Sequence, residues 1–139
     1  FKANTNDTRE SPSINIANDL LEEGAQLAIY DPKVKSEQIS IDLKLSATSP
    51  PKKGEGPTQA ALNGEGAWWH AKSFSEAANG ADAIVIVTEW DEFKNIQWNQ
   101  IAPLMRKPAW VFDARAVVDP NAVKAAGLKL WRVGDGAAT

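Results

Sequence analysis

Cysteine is absent from the 139 residues. That excludes a disulfide framework, a thiolate metal site and a cysteine nucleophile within them, and it fits a reducing cytosol. A basic block is also missing. The formal net charge is -3, with acids and bases mixed along the chain, so nothing neutralises a run of phosphates and nucleic acid is not an expected partner. The longest apolar run, Ala83 to Val87, falls far short of the roughly 20 residues that cross a bilayer. No signal peptide is expected. A cytoplasmic protein without a membrane partner is expected.

Residues 1–11 contain no glycine, so the fingerprint of a dinucleotide site is not found there. Histidine occurs once, at His70. With no cysteine or second histidine beside it, neither a metal site nor a catalytic triad has its members, and no catalytic residue is assigned. An initiator methionine is lacking too. The chain starts at Phe1 in polar loop chemistry, and the expectation is a piece whose upstream part has been lost.

What is present is ordinary for a folded protein: 43% hydrophobic and 24% charged residues, enough for one domain with one core. Ser11-Pro12 is a helix start, with Ile14, Ala17, Leu20 and Leu21 at helical spacing and Gly24 placed to end the helix. Gln26 to Tyr30 reads as a strand stopped by Asp31-Pro32. Residues 35–45 space Ile39, Ile41, Leu43 and Leu45 in a way that suits a strand or a helix; a helix is preferred. Residues 46–66 are rich in Ser, Pro, Gly and Lys and read as a flexible surface insertion within the domain. Ala67 to His70 is a short strand.

The remaining elements are regular. Ser73 to Asn79 is a helix ended by Gly80, and Asp82 to Thr88 is a β-branched strand expected to be buried on both faces. Trp98 to Met105 is a helix, Ala109 to Asp113 a strand, Asn121 to Ala126 a helix ended by Gly127, and Leu128 to Val133 a last strand. Such alternation predicts an α/β fold: a Rossmann-like, doubly wound, mostly parallel sheet of four or five strands spanning 1–139. A complete unit would carry a strand just before Phe1, so the sheet is expected to lack its first strand. A second copy could fill the gap by swapping.

Ligands of such sheets bind at the carboxyl ends of the strands. The loop Phe1 to Glu10 and the segments Asp31-Pro32, Thr88 to Asp91 and Asp113 to Arg115 fall at that edge. They carry Lys2, Arg9 and Arg115, three cations that together could cradle a pyrophosphate near a helix N-terminus. For any one of them alone, an ordinary loop charge is the simpler account. Asp31 stands where Rossmann folds place an acid on the ribose of NAD, but a turn-capping role before Pro32 explains it better. Trp90, Trp98, Trp110 and Trp131 are expected to pack in the core, and one of Trp68 and Trp69 is expected to be exposed. Glu89 and Asp91 could form an acid pair; a helix-start role is preferred.

The opening FKANTNDTRESPS, through Phe1, Lys2, Thr5, Asp7, Arg9, Glu10 and Ser11, resembles the FKxxTxDxRES segment of the UDP-glucose/GDP-mannose dehydrogenase family. YDPKV (Tyr30 to Val34), GADAIVIVTEWDEF (Gly80 to Phe93) and KPAWVFDARAVVD (Lys107 to Asp119) follow in the same order and spacing. The wording around TEWDEF is most similar to eukaryotic members that oxidise UDP-glucose to UDP-glucuronate in two steps, with two NAD+. The resemblance implies a C-terminal, UDP-binding domain in which Phe1 and Lys2 contact the nucleotide sugar. It likewise implies that Arg115 binds substrate near the sugar and phosphates and that Arg9 reaches toward NAD across the cleft.

It also implies that NAD is held mainly by an upstream domain, with the catalytic cysteine, lysine and aspartate, and that a long central helix supports a homo-oligomer. The 139 residues alone are then expected to be inactive. Ala114 departs from the pattern, standing where glycine is common. Two other readings stay open. One is a sister enzyme acting on GDP-mannose or a UDP-amino sugar; the other is a receiver-like signalling module with Asp113 as phosphoacceptor.

Overall fold

A computed structural model of the chain describes residues 12–49 and 62–133. Two compact units divide it, Phe1–Ala77 and Ala78–Thr139. Phe1, Lys2, Arg9 and the Ser11 cap, and the middle of the 46–66 insertion, lie outside the described residues.

In the first unit, helix α1 (Pro12–Glu22) ends where Gly24 takes a φ of +86°, a left-handed conformation that a Cβ disfavours. Strand β1 (Gln26–Ile29) follows, then helix α2 (Ser36–Leu43), so the 35–45 segment is helical as preferred. Ile39 and Leu43, one turn apart, are its buried residues, while Ile41 points outward at 68% exposure. This is helical spacing, in which i and i+4 share a face and i+2 does not. Strand β2 (Ala67–His70) pairs in parallel with β1, Leu27 opposite Trp68.

The core of this unit gathers Ile14, Val34, Ile39, Leu43 and Trp68, with Ala17, Leu21, Leu27 and Ile29 against it. Trp68 is fully buried and Trp69 half-buried. The Trp68 indole Nε1 donates to the Leu45 carbonyl at 2.8 Å, so the ring also anchors the start of the 46–66 segment. Helix α3 (Phe74–Ala78) follows, and Ser73 Oγ accepts from the Glu76 amide at 3.0 Å, an N-cap bond.

The second unit holds strands β3 (Ala83–Ile86), β4 (Trp110–Asp113) and β5 (Lys129–Arg132), all parallel, in the order β3-β4-β5. A 3-10 turn covers Asp91–Asn95, helix α4 covers Trp98–Ile101, and helix α5 (Pro120–Ala125) is capped by Asp119, whose side chain accepts from the Asn121 amide. The expected helix over Trp98 to Met105 is interrupted: residues Ala102–Leu104 are 3-10. Pro103 is the physical reason, since it has no amide to donate and its ring crowds the preceding turn.

One face of this sheet is buried through Ile86, Val111 and Leu130, with Val123 of α5 fully enclosed. The other face corrects two sequence expectations. β3 is not buried on both faces, because the face that carries Val85, 45% exposed, is also open at its register partner Phe112 on the central strand. Nor is Trp131 a core residue; at 38% exposure it shares that open face with Phe112. Trp110 is half-buried there, stacked on Phe112 at 5.5 Å with the Lys129 ammonium 5.6 Å from its ring centre. Trp90 and Trp98 are buried as expected.

Within each sheet the described strands run parallel to their neighbours. They lie in one sheet of two and one of three, alternating along the chain with helices. The fold is therefore α/β.

Candidate functional site

The loops leaving β3 and β4 build the site from the backbone outward. Ile86 and Asp113 are register partners at the last positions of these strands, and the Ala114 amide donates to the Ile86 carbonyl at 2.9 Å. Beyond that point the chain after β4 folds back around the Asp113 carboxylate. Its Oδ1 accepts from the Arg115 amide at 3.0 Å; Oδ2 accepts from Val117 and Val118 at 2.8 and 2.9 Å. Asp113 is fully buried, so these bonds are shielded from water and each is charge-assisted. The return is tight enough that Ala116 takes a φ of +58°. From β5, the Arg132 guanidinium lies 3.8 Å from Asp113 Oδ2 and donates from Nη2 to the Ala116 carbonyl at 3.2 Å.

Held this way, Arg115 projects its side chain outward. Its Nη2 donates to Glu89 Oε1 at 2.8 Å, with the two side chains 41% and 47% exposed. Glu89 lies three residues past the end of β3 and Arg115 two past the end of β4. Two parallel neighbours thus deliver an acid and a base to one spot at the carboxyl edge. Of the three expected cations, Arg115 is at that edge; Lys2 and Arg9 lie outside the described residues, as does Phe1.

The sequence reading gave Glu89 a helix-start role, and that is corrected here. The 3-10 turn begins at Asp91, while Glu89 turns to Arg115. The signal that could have found the pair is the parallel pairing of the two strands.

A second edge, in the first unit, carries Asp31. Its Oδ1 accepts from the amides of Lys33 and Val34 at 2.8 and 3.1 Å, the turn-capping role expected of it. Buried and bonded to its own turn, this carboxylate does not fit the ribose of NAD. Asp31 and His70 line an open cleft of about 560 Å³ together with Lys33, Lys35 and Lys72. The burial of Asp113, with both oxygens accepting from amides, also argues against phosphoacceptor chemistry at that residue. No helix of the described residues is long and apolar enough to cross a membrane.

Fold and site together define a class: a Rossmann-like α/β domain with an arginine at the carboxyl edge of a parallel sheet. The sequence model of the UDP-glucose/GDP-mannose dehydrogenase family, UDP binding domain, matches residues 1–120, and the chain belongs to that family. It is 39% identical over 136 residues to UDP-glucose 6-dehydrogenase 5 of Oryza sativa subsp. japonica, covering 96% of this chain and 28% of the relative. It is 41% identical over 135 residues to the UDP-glucose 6-dehydrogenase of Drosophila melanogaster, covering 96% and 26%. Against that of Pongo abelii the identity is 43% over 136 residues, again covering 96% and 26%. The chain thus spans about a quarter of the length of the curated relatives it matches.

Proposed function

We propose that this chain forms the nucleotide-sugar-binding part of a UDP-glucose 6-dehydrogenase, an enzyme that oxidises UDP-glucose to UDP-glucuronate with two NAD+. The observation that carries the reading is Arg115. Its backbone is fixed by a buried carboxylate, and its guanidinium is partly exposed where open parallel sheets bind ligands. A planar guanidinium with one nitrogen engaged still has donors for phosphate oxygens or sugar hydroxyls.

On this reading Phe1 and Lys2 contact the nucleotide sugar, Arg9 faces NAD, and residues 1–139 work as one domain with a flexible insertion at 46–66. NAD, when bound, accepts hydride from the sugar; the residues here bind and orient the UDP end. They contain no cysteine, so the family's thiol step belongs elsewhere in the enzyme, a cytoplasmic homo-oligomer. A sister activity on GDP-mannose is less favoured, because the curated relatives named above are UDP-glucose 6-dehydrogenases.

Calorimetric titration of the chain with UDP tests this. Binding is expected near the millimolar range, about -4 kcal/mol, because half of the cleft's contacts are contributed elsewhere. Arg115→Ala is expected to weaken it by about tenfold, the usual order for a charged hydrogen bond to an anion. With UDP-glucose and NAD+, NADH absorbance should stay flat. Sustained NADH formation by the pure chain, or UDP affinity indifferent to Arg115→Ala, would overturn the proposal.

A further inference from the structure

We infer that Glu89 is the resident counter-ion of Arg115, a positioning residue whose carboxylate occupies the guanidinium until a nucleoside diphosphate displaces it. This rests on the reading of Arg115 as the cation that meets the ligand's phosphates, and adds a residue that sets how tightly they are held.

Three observations lead to it. The contact is one nitrogen to one oxygen at 2.8 Å, not a two-pronged clamp. Both side chains are more than two-fifths exposed, and exposed pairs of this kind are weak and easily exchanged. The Arg115 amide, in contrast, is tied to the buried Asp113 carboxylate. The backbone is therefore the fixed part and the guanidinium the movable part, free to turn from a carboxylate to a phosphate without rebuilding the loop.

A ligand bearing phosphate charge replaces the lost ion pair with a stronger one. A neutral ligand cannot, so it must leave Arg115 on Glu89 or bind without it. Glu89 thereby competes with a diphosphate for the guanidinium, a cost that a bare nucleoside, which leaves the pair intact, does not meet. Its removal should tighten diphosphate binding and leave neutral ligands alone.

Four forms of the chain test this by titration with UDP and, separately, with uridine: unsubstituted, Glu89→Gln, Arg115→Ala and the double variant. Glu89 is exposed, and matching thermal melts will show that folding is unchanged. Glu89→Gln is expected to tighten UDP binding by about two- to fivefold, the scale of an exposed ion pair, with uridine affinity unaltered. In the Arg115→Ala background the same change should have little effect on UDP, because Glu89 acts through the guanidinium. If Arg115→Ala weakens UDP binding but Glu89→Gln leaves it unchanged or weakens it, the inference fails and the reading of Arg115 stands. If Arg115→Ala leaves UDP binding unaltered, or the unsubstituted chain binds no UDP, that reading fails and takes this one with it.

Discussion

Asp113→Ala is expected to cost about 3–5 kcal/mol of stability, the scale seen when one partner of a buried charged network is removed. The carboxylate accepts from the amides of Arg115, Val117 and Val118 and is fully buried. Alanine would leave those donors without their acceptor in a place water reaches poorly, and the Arg132 guanidinium without the charge 3.8 Å away. Asp113→Asn keeps the shape and one oxygen but turns an NH2 toward donors, so an intermediate loss of about 1–2 kcal/mol is expected. Urea unfolding followed by far-ultraviolet circular dichroism measures both. A loss below about 1 kcal/mol for the alanine variant would mean that the loop is held by something other than this carboxylate.

Trp68→Ala is the second large effect, expected at about 3–5 kcal/mol from the cavity left by a buried indole. Trp68 has no exposed surface and packs with Ile14, Val34, Ile39 and Leu43. Its loss also removes the bond from Nε1 to the Leu45 carbonyl. Trp68→Phe separates the two contributions. It retains most of the apolar contact and gives up the hydrogen bond, so about 1–2 kcal/mol is expected. The same denaturation experiment reads the result, and equal losses for the two variants would show that the hydrogen bond, not the packing, dominates.

The elements were legible because punctuation and periodicity are local. Gly24, Gly80 and Gly127 end helices with positive φ, and Ile39 and Leu43 mark the inner face of α2. Each depends on residues a few positions apart. The same local reading overran Pro103, since the apolar spacing on either side of it continued while the backbone donor did not. It also placed Val85 and Trp131 in the interior, because a β-branched or aromatic strand looks alike whether its second face is covered or open.

Arg115 was singled out from its place just beyond a strand, together with Lys2 and Arg9. Its partner was missed. Glu89 and Arg115 are separated by 26 residues, and only the side-by-side pairing of β3 and β4 carries one to the other. Asp113 was likewise considered as a reactive acid, and only its burial and its three amide donors identify it as the anchor of the loop.

From the amino-acid order alone come the alternation of helix and strand, the parallel α/β class and the edge that carries Arg115. These follow from torsional preference and hydrophobic period, which act over a turn or two of chain. Tertiary structure alone decided which strand face stays open, which acid is buried, and which acid meets Arg115. Burial and ion pairing depend on distances through space, and those are set only when strands far apart in sequence lie side by side.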